Sequence, residues 1–278
     1  MSEMGARQTS SILVAIALLA PLARSADAPA DDRQRGWQEL SLLNPARAQQ
    51  AFAAARVADP TSRETQLGAA LALLQQRAHT PESVADAAGL LAALRHANAD
   101  DDAGIGAAYY LARIEQVHSF KPDRAAAVAG YRALLTAHPG HHYAELAAPK
   151  LALLLLYDDV PPDEWERRVA EIQALIPRLT APEAVRDTQL SLATALIRLR
   201  RDHARAYPLL GSCLAAGSVT RMPRLNTVLV QAAESALALG REREAAAYYA
   251  QFLAAFPQDS KSDEIRRRLG QLPAKDRP

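Results

Sequence analysis

Apolar residues recur along the chain at helical spacing, and no stretch alternates apolar and polar residues for long enough to predict a strand. Alanine and leucine dominate the apolar positions, and runs of β-branched residues are short. Prolines stand where helices can begin, because a residue in the first turn has no intrahelical hydrogen bond to lose. These prolines are Pro45, Pro81, Pro122, Pro161 with Pro162, and Pro182. The pattern predicts an all-α chain of about twelve helices of about 12 to 18 residues, joined by short links.

A four-position pattern recurs within three of these helical segments. It begins with alanine, followed by an aromatic residue four positions later, a small or apolar residue three further on, and proline five beyond that. The three copies are Ala48, Phe52, Ala55, Pro60; Ala127, Tyr131, Leu134, Pro139; and Ala245, Tyr249, Phe252, Pro257. Alanine lets a neighbouring helix approach, the ring fills the space beyond the contact, and proline prevents the helix from continuing.

Weaker copies of the pattern lie between these three copies in the sequence. They are Ala87, Leu91, Leu94, Ala99; Ala206, Leu210, Cys213, Ser218; and Ala170, Ala174, Pro182, the last with Pro177 in an unsuitable place. The final position then falls at 60, 99, 139, 182, 218 and 257. Six units of about forty residues are therefore predicted, each a helical hairpin that must stack on its neighbours to bury its apolar face.

The spacing resembles that of the tetratricopeptide repeat (TPR), in which the second helix of each hairpin carries such positions. The resemblance covers residues 36 to about 271; Leu67-Gly68 and Gly240 match the first-helix pair and the turn glycine once each. Segment 131–147 is similar to segments of bacterial periplasmic members, such as the outer-membrane assembly lipoprotein and the Tol-Pal coordinator. The resemblance implies an α-α superhelix (solenoid) of about six hairpins, and residues 260–271 are expected to cap it as a polar C-terminal helix.

The first 28 residues predict a secretory signal peptide. Arg7 supplies a positive flank, residues 11–23 form an apolar run, and Ala26 and Ala28 offer small residues to a signal peptidase. This run is shorter than the roughly 20 residues of a membrane-spanning helix, and no cysteine near the cleavage point offers a lipid-anchor site. Residues 29–278 are therefore expected to form one periplasmic or secreted domain, without stable membrane insertion.

Charge and cysteine content exclude some classes of function. The chain has 32 Lys and Arg residues against 31 Asp and Glu residues, a balance that does not predict general attraction to nucleic acid or to acidic membranes. Cys213 is the only cysteine and cannot form an internal disulfide, so its place in the repeat predicts a packed thiol. Trp37 and Trp165, near predicted helix starts, are interpreted as packing residues.

Three histidines and a glutamate surround Pro139-Gly140, namely His138, His141, His142 and Glu145. They form either a metal site or a turn between two hairpins. Adjacent His141 and His142 would have to point in different directions from one helix start, and neither an H-E-x-x-H motif nor a cysteine pair accompanies them. The turn is favoured, with Glu145 as a first-turn carboxylate suited to the helix dipole. No metal, cofactor or catalytic residue is predicted.

Other motifs are given structural interpretations. Residues 104–106 (Gly-Ile-Gly) are predicted to form a loop before a helix, because no strand precedes them. Residues 100–102 (Asp-Asp-Asp) are predicted to form a solvated turn, because they lack the alternating oxygen ligands of a calcium loop. No serine has a glycine elbow around it. Four further expectations concern local structure: a capping box of Thr180 with Glu183, kinks or restarts at Pro149 and Pro208, and a helix covered on both sides over Leu151 to Tyr157.

By the resemblance, first helices line a concave face that binds peptides or partner helices. The candidate contact residues are Tyr109, Tyr110 and Arg113 in the third unit, Thr188, Ser191 and Arg198 in the fifth, and Thr227 and Glu234 in the sixth. The leading hypothesis is a non-catalytic, exported scaffold that binds another envelope protein. The alternatives are an accessory subunit of a cell-wall-modifying enzyme and a structural spacer without a groove ligand.

Overall fold

The computed structural model describes residues 31–76, 80–157, 161–220 and 224–273, and within these ranges it contains thirteen α-helices and no strand. The helices are α1 (Asp32–Ser41), α2 (Pro45–Ala58), α3 (Arg63–Leu74), α4 (Pro81–Ala97), α5 (Asp102–Arg113), α6 (Arg124–Ala137), α7 (His142–Tyr157), α8 (Pro162–Leu175), α9 (Pro182–Ala195), α10 (His203–Ala215), α11 (Arg224–Ala238), α12 (Glu242–Ala255) and α13 (Ser262–Gln271). Single π-helical turns extend α5 and α9 over Ile114–His118 and Leu196–Arg200. The predicted signal peptide lies outside the described residues.

Successive helices pack as hairpins in chain order. The six hairpins are α1–α2, α3–α4, α5–α6, α7–α8, α9–α10 and α11–α12, and α13 packs on α12 at the end. Second helices also contact the first helix of the next hairpin, and the first helices from α1 to α9 contact one another in sequence. The chain is therefore an all-α, TPR-like solenoid with a C-terminal capping helix, as predicted.

The repeat pattern marks the core of the stack. The first two positions of five units have a relative exposure of 0%, in Ala48, Phe52, Ala87, Leu91, Ala127, Tyr131, Ala206, Leu210, Ala245 and Tyr249. Cys213, at the third position of the fifth unit, is also buried, which confirms the packed thiol. A lone hairpin would leave these side chains in water, so each unit depends on its neighbours.

Phe52 of α2 packs between two glycines on the flanking first helices. A Cβ atom at Gly36 of α1 would lie 2.5 Å from the Phe52 ring, and one at Gly68 of α3 would overlap the same ring. Trp37 adds an edge-on contact to Phe52, with the ring centroids 5.5 Å apart. The three helices approach this closely because the two glycines have no side chain.

The fourth unit has a different register from the one predicted. Ala170 and Ala174 are exposed, and the buried positions are Trp165, Val169 and Ile172. Counting from Trp165 places Pro177 at the final position, so the intervals become 39, 40, 38, 41 and 39 residues. The indole stands where the other five units have alanine. α8 packs less extensively on its neighbours than the other second helices do, and α7 contacts α9 directly.

The glycines of residues 104–106 lie inside α5, so the prediction of a loop before a helix is wrong. Gly104 is required because a Cβ there would overlap the carbonyl oxygen of Asn98 at the end of the preceding helix. Gly106 is required because a Cβ there would lie 2.7 Å from the ring of Tyr143 on α7. Both glycines therefore permit helix packing.

The structure corrects several predictions about prolines and helix caps. Pro149 and Pro208 lie inside α7 and α10, so neither restarts its helix, and the kink expected at each stays a prediction. Pro122 precedes the N-cap of α6 rather than standing in its first turn. The capping box expected at Thr180 is absent, since Ala181 is the N-cap of α9. A capping box forms instead at the start of α4, where Thr80 and Ser83 exchange hydrogen bonds.

Ion pairs join residues about one repeat apart in the sequence. They are Arg63 with Asp101, Arg132 with Glu171, Arg205 with Glu166, and Arg224 with Asp187. Arg63 also donates to the carbonyl oxygens of Leu94 and Asn98, so it binds the end of α4 and the start of α5 together. Partly exposed pairs contribute little free energy because water screens them. Their role is to favour one register of stacking.

Gly68→Ala is expected to lower the free energy of unfolding by about 1 to 3 kcal/mol, because the new methyl group must displace the Phe52 ring in a filled core. Gly89→Ala is the matched control, because nothing lies within 4 Å of a Cβ atom at Gly89 in α4. There the better helix former should raise the free energy by about 0.5 to 1 kcal/mol. Urea denaturation followed by circular dichroism measures both. Equal losses in the two variants would contradict this packing of Phe52.

Candidate partner-binding groove

A groove of about 280 Å³ crosses three successive first helices. Its lining residues are Pro149, Lys150, Leu153 and Tyr157 of α7, Asp187, Leu190, Ser191 and Thr194 of α9, and Arg224, Thr227, Val228 and Gln231 of α11. On each helix these residues recur at intervals of three or four positions, with one adjacent pair on each helix, so they form one face. The groove therefore belongs to the surface formed by the first helices of the fourth, fifth and sixth hairpins.

Two apolar side chains on the floor of the groove remain partly exposed. Leu153 is 39% exposed and Tyr157 is 40% exposed, although Leu151 and Leu156 of the same run are buried. The prediction that this run is covered on both sides is therefore wrong: one side packs in the core and the other faces the groove. A second depression of about 220 Å³ shares Leu153 and Tyr157, and it adds Val117, which is 51% exposed. The apolar surface thus continues from α7 to the π-helical turn that ends α5.

Among the described residues that line the groove, cations outnumber carboxylates. Lys150 and Arg224 line the groove with one carboxylate, Asp187, which accepts hydrogen bonds from Arg224 at 2.5 Å and from Arg186 at 2.8 Å. Burial lowers the pKa of Lys150 below its ordinary value; the positive charges of Arg113 and Arg224 lower it further, and Asp187 opposes them. The groove is therefore partly apolar and locally positive.

The eight predicted contact residues divide into three groups. Ser191 and Thr227 line the groove itself. Arg113 lies close enough to Lys150 to affect its pKa, and the exposed Arg198 affects the pKa of Tyr157 in the same way. The remaining four are placed elsewhere: Tyr109, Tyr110, Thr188 and Glu234.

Those four residues serve packing or local pairing. Tyr109 and Thr188 are buried, so they belong to the core rather than to the concave face. Tyr110 is half-buried and packs edge-on against Tyr109, with the ring centroids 5.0 Å apart. Glu234 accepts a hydrogen bond from Arg268 at 2.8 Å, which ties α11 to the capping helix α13. The repeat pattern assigns a residue to a helix face with an error of one position. Core and groove positions are neighbours in the sequence, so an error of this size exchanges one for the other.

Sequence reasoning missed Lys150, Leu153 and Tyr157. They lie in or beside a run that is apolar at every position over residues 151–157, so hydrophobic periodicity could not separate the core face from the groove face. The one available signal was Lys150, a charged residue immediately before the run. It marks the helix face on which water or a partner is expected.

The candidate histidine cluster forms the turn before α7. His141 lies 3.1 Å from Asp102, and His138 lies 3.9 Å from Asp100. His141 also stacks on Tyr143, with the ring centroids 5.9 Å apart. In the part of the chain that the structure describes, no three His, Cys, Asp or Glu side chains are arranged to hold a metal ion.

Glu145 has a role that the sequence did not indicate. Its buried carboxylate on α7 accepts hydrogen bonds from the backbone N–H and hydroxyl of Thr180, at 2.7 and 2.6 Å, and from the N–H of Ala181 at 2.5 Å. It therefore binds the N-terminus of α9, whose positive dipole end favours an anion. Burial raises the pKa of Glu145, but these hydrogen bonds outweigh burial and the pKa falls below its ordinary value. The contact positions α9 beside α7, where both line the groove.

No family model matches this chain, and no curated protein does. Among solved structures, a thermophilic TPR protein of Thermus thermophilus aligns at 16% identity and a TM-score of 0.36, over 86% of this chain and 95% of the other. A tetratricopeptide repeat protein of Parabacteroides merdae aligns at 12% and 0.35, over 86% and 96%. The flexible tandem repeat domain from a subunit of bacterial cellulose synthase aligns at 17% and 0.34, over 87% and 97%. All three TM-scores lie below 0.5, and the solenoid is established by the hairpin packing of the chain itself.

None of the helices in the described ranges is both long and apolar enough to span a bilayer.

Glu145→Gln is expected to lower the free energy of unfolding at neutral pH by about 1.5 to 3 kcal/mol, because the bonds from Thr180 and Ala181 lose their charged acceptor. The pKa of Glu145 is lower in the folded state, so its contribution is present above the unfolded value and is lost as the pH falls through the folded value. The variant should therefore lose less stability than the wild type between about pH 5 and pH 3. Urea denaturation at a series of pH values measures this.

Glu183→Gln is the matched control, because Glu183 is an exposed carboxylate in the first turn of α9. It should change the unfolding free energy little at any pH. If Glu145→Gln and the wild type showed parallel pH profiles, the proposed contribution of Glu145 would be wrong.

Proposed function

We propose that this protein is a non-catalytic, exported scaffold that binds a segment of another envelope protein in the groove across α7, α9 and α11. The observation that carries the proposal is the pair Leu153 and Tyr157, two partly exposed apolar side chains on the floor of a concave surface. Apolar side chains that are gathered in a concavity and rimmed by polar groups are typical of a protein interaction site.

The shape of the groove favours a chain segment over a small ligand. Its volume of about 280 Å³ is near the lower end of the roughly 300 to 1,000 Å³ of small-molecule sites, so the extent of the surface decides. It runs across three helices, and a second depression extends it past Leu153 and Tyr157. An extended or helical segment can follow such a surface and contact several hairpins at once.

Export is the second part of the proposal, and it is supported by the sequence alone. Arg7, the apolar run over residues 11–23 and the small residues before residue 29 have the order of a cleavable signal. The single cysteine fits a fold that needs no disulfide in an oxidising compartment. The partner is accordingly expected in the envelope.

Binding is tested with the wild type, Leu153→Asp and Val57→Asp as immobilised baits for envelope extract. Leu153→Asp should release the partner, because a carboxylate then stands on the apolar floor. Val57→Asp is the matched control: Val57, 85% exposed, lies on α2 and outside the groove. Retained proteins are compared by mass spectrometry after circular dichroism has shown all three baits to be folded. Equal retention by both variants would exclude this groove, and failure of the folded wild type to retain any protein would count against the scaffold.

Export is tested by fusing residues 1–28 to alkaline phosphatase that lacks its own signal, expressed in a bacterial host. The enzyme is expected to be active, because it needs the oxidising periplasm to form its disulfides. A control fusion carries Leu18→Arg and Leu19→Arg, which interrupt the apolar run and should abolish the activity. An inactive parent fusion of normal abundance would contradict export.

A further inference from the structure

We propose that the segment bound in the groove is acidic and amphipathic, with a carboxylate against Lys150 and apolar side chains against Leu153 and Tyr157. This inference rests on the proposed function and adds the chemistry of the partner. It follows from the placement of charge around an apolar floor.

Lys150 is the first reason for an acidic partner. Its side chain is half-buried on α7 and lines the groove, and within the described ranges it takes part in no ion pair. Among the described residues, the charges that act on its pKa are the cations Arg113 and Arg224 and the carboxylate Asp187. Asp187 is already bonded to Arg186 and Arg224. A carboxylate from outside the chain would therefore supply the counter-charge that this position lacks.

The spacing along α7 sets the length of the bound segment. Lys150, Leu153 and Tyr157 all line the groove, and Lys150 and Tyr157 are seven residues apart on one helix, a rise of about 10 Å. The groove therefore fits a segment with an acidic residue against Lys150 and apolar residues within about 10 Å of it, which is two turns of a helix or about three extended residues.

Carboxylates line a different depression, near the N-terminal hairpins. A cavity of about 750 Å³ near the N-terminal hairpins is lined by Glu64, residues 100–102 (Asp-Asp-Asp), Trp37 and Tyr143. Carboxylates dominate there, whereas Lys150 and Arg224 dominate the groove across α7, α9 and α11. Like charges brought together cost free energy, so a basic segment is disfavoured in the groove.

Selection from a displayed library of random twelve-residue peptides tests the chemistry. The full chain is used as wild type, Lys150→Glu and Lys261→Glu, with sequencing of the retained peptides. The wild type is expected to enrich peptides that combine acidic residues with aromatic or aliphatic ones. Lys150→Glu should abolish the acidic enrichment; it places a carboxylate beside Arg113 and Arg224, so it is expected to fold. Lys261→Glu, the same change at an exposed residue between α12 and α13, should leave the enrichment intact.

One selected peptide is then synthesised with a fluorophore and titrated by anisotropy. Its affinity is expected to fall at least about tenfold in Lys150→Glu and in a peptide whose acidic residues are replaced by their amides, and to weaken with added salt. A neutral variant, Lys150→Met, should give an intermediate loss.

The outcomes separate this inference from the proposed function. Peptides that bind the wild type and are lost in Leu153→Asp, but show no acidic enrichment, would leave the groove as a binding site and overturn its acidic specificity. Enrichment of basic peptides would overturn it as well. Failure of the folded wild type to enrich any peptide would count against the proposed function itself.

Discussion

Close approach of one helix to the next is the constraint on which this stack depends. Alanine at the first position of the repeat brings two helices together, and a buried ring or leucine one turn later fills the space that opens beyond the contact. This close approach is clearest in the N-terminal hairpins, where the ring of Phe52 fills the space left by the absent side chains of Gly36 and Gly68. Since no hairpin can bury these residues alone, the units gain their stability together.

The fourth unit departs from this rule, and the groove lies beside the departure. Trp165 replaces the alanine of the other five units, and α8 packs less extensively on its neighbours while α7 contacts α9 directly. Glu145 completes that contact by binding the N–H groups at the start of α9. The same helix that is held by Glu145 on one side presents Leu153 and Tyr157 to solvent on another. The irregular fourth unit therefore affects both the packing of the core and the surface where a partner is proposed to bind.

Charge is distributed unevenly over a chain that is nearly neutral as a whole. The total of 32 basic and 31 acidic residues conceals a positive region around Lys150, Arg113 and Arg224 and a carboxylate-rich cavity near the N-terminal hairpins. Net charge governs general attraction, whereas the local field within a concavity selects a partner and its orientation. A composition that argues against unspecific binding is therefore compatible with a groove that selects charge.

The sequence by itself determined the all-α class, the hairpin repeat, and the buried positions of five units, because helix period, prolines and alanine-ring spacing are local properties of the chain. It misplaced the fourth unit, because Trp165 in the position of a small residue hid the register. It also took residues 104–106 for a loop, because the need for Gly104 comes from Asn98 on another element. Only the tertiary structure decided that Glu145 binds α9, that Tyr109 and Thr188 belong to the core, and that Leu153 faces a groove. Each of these depends on which helix lies opposite a residue, and that is set by packing between units rather than by the residue's own neighbours in the chain.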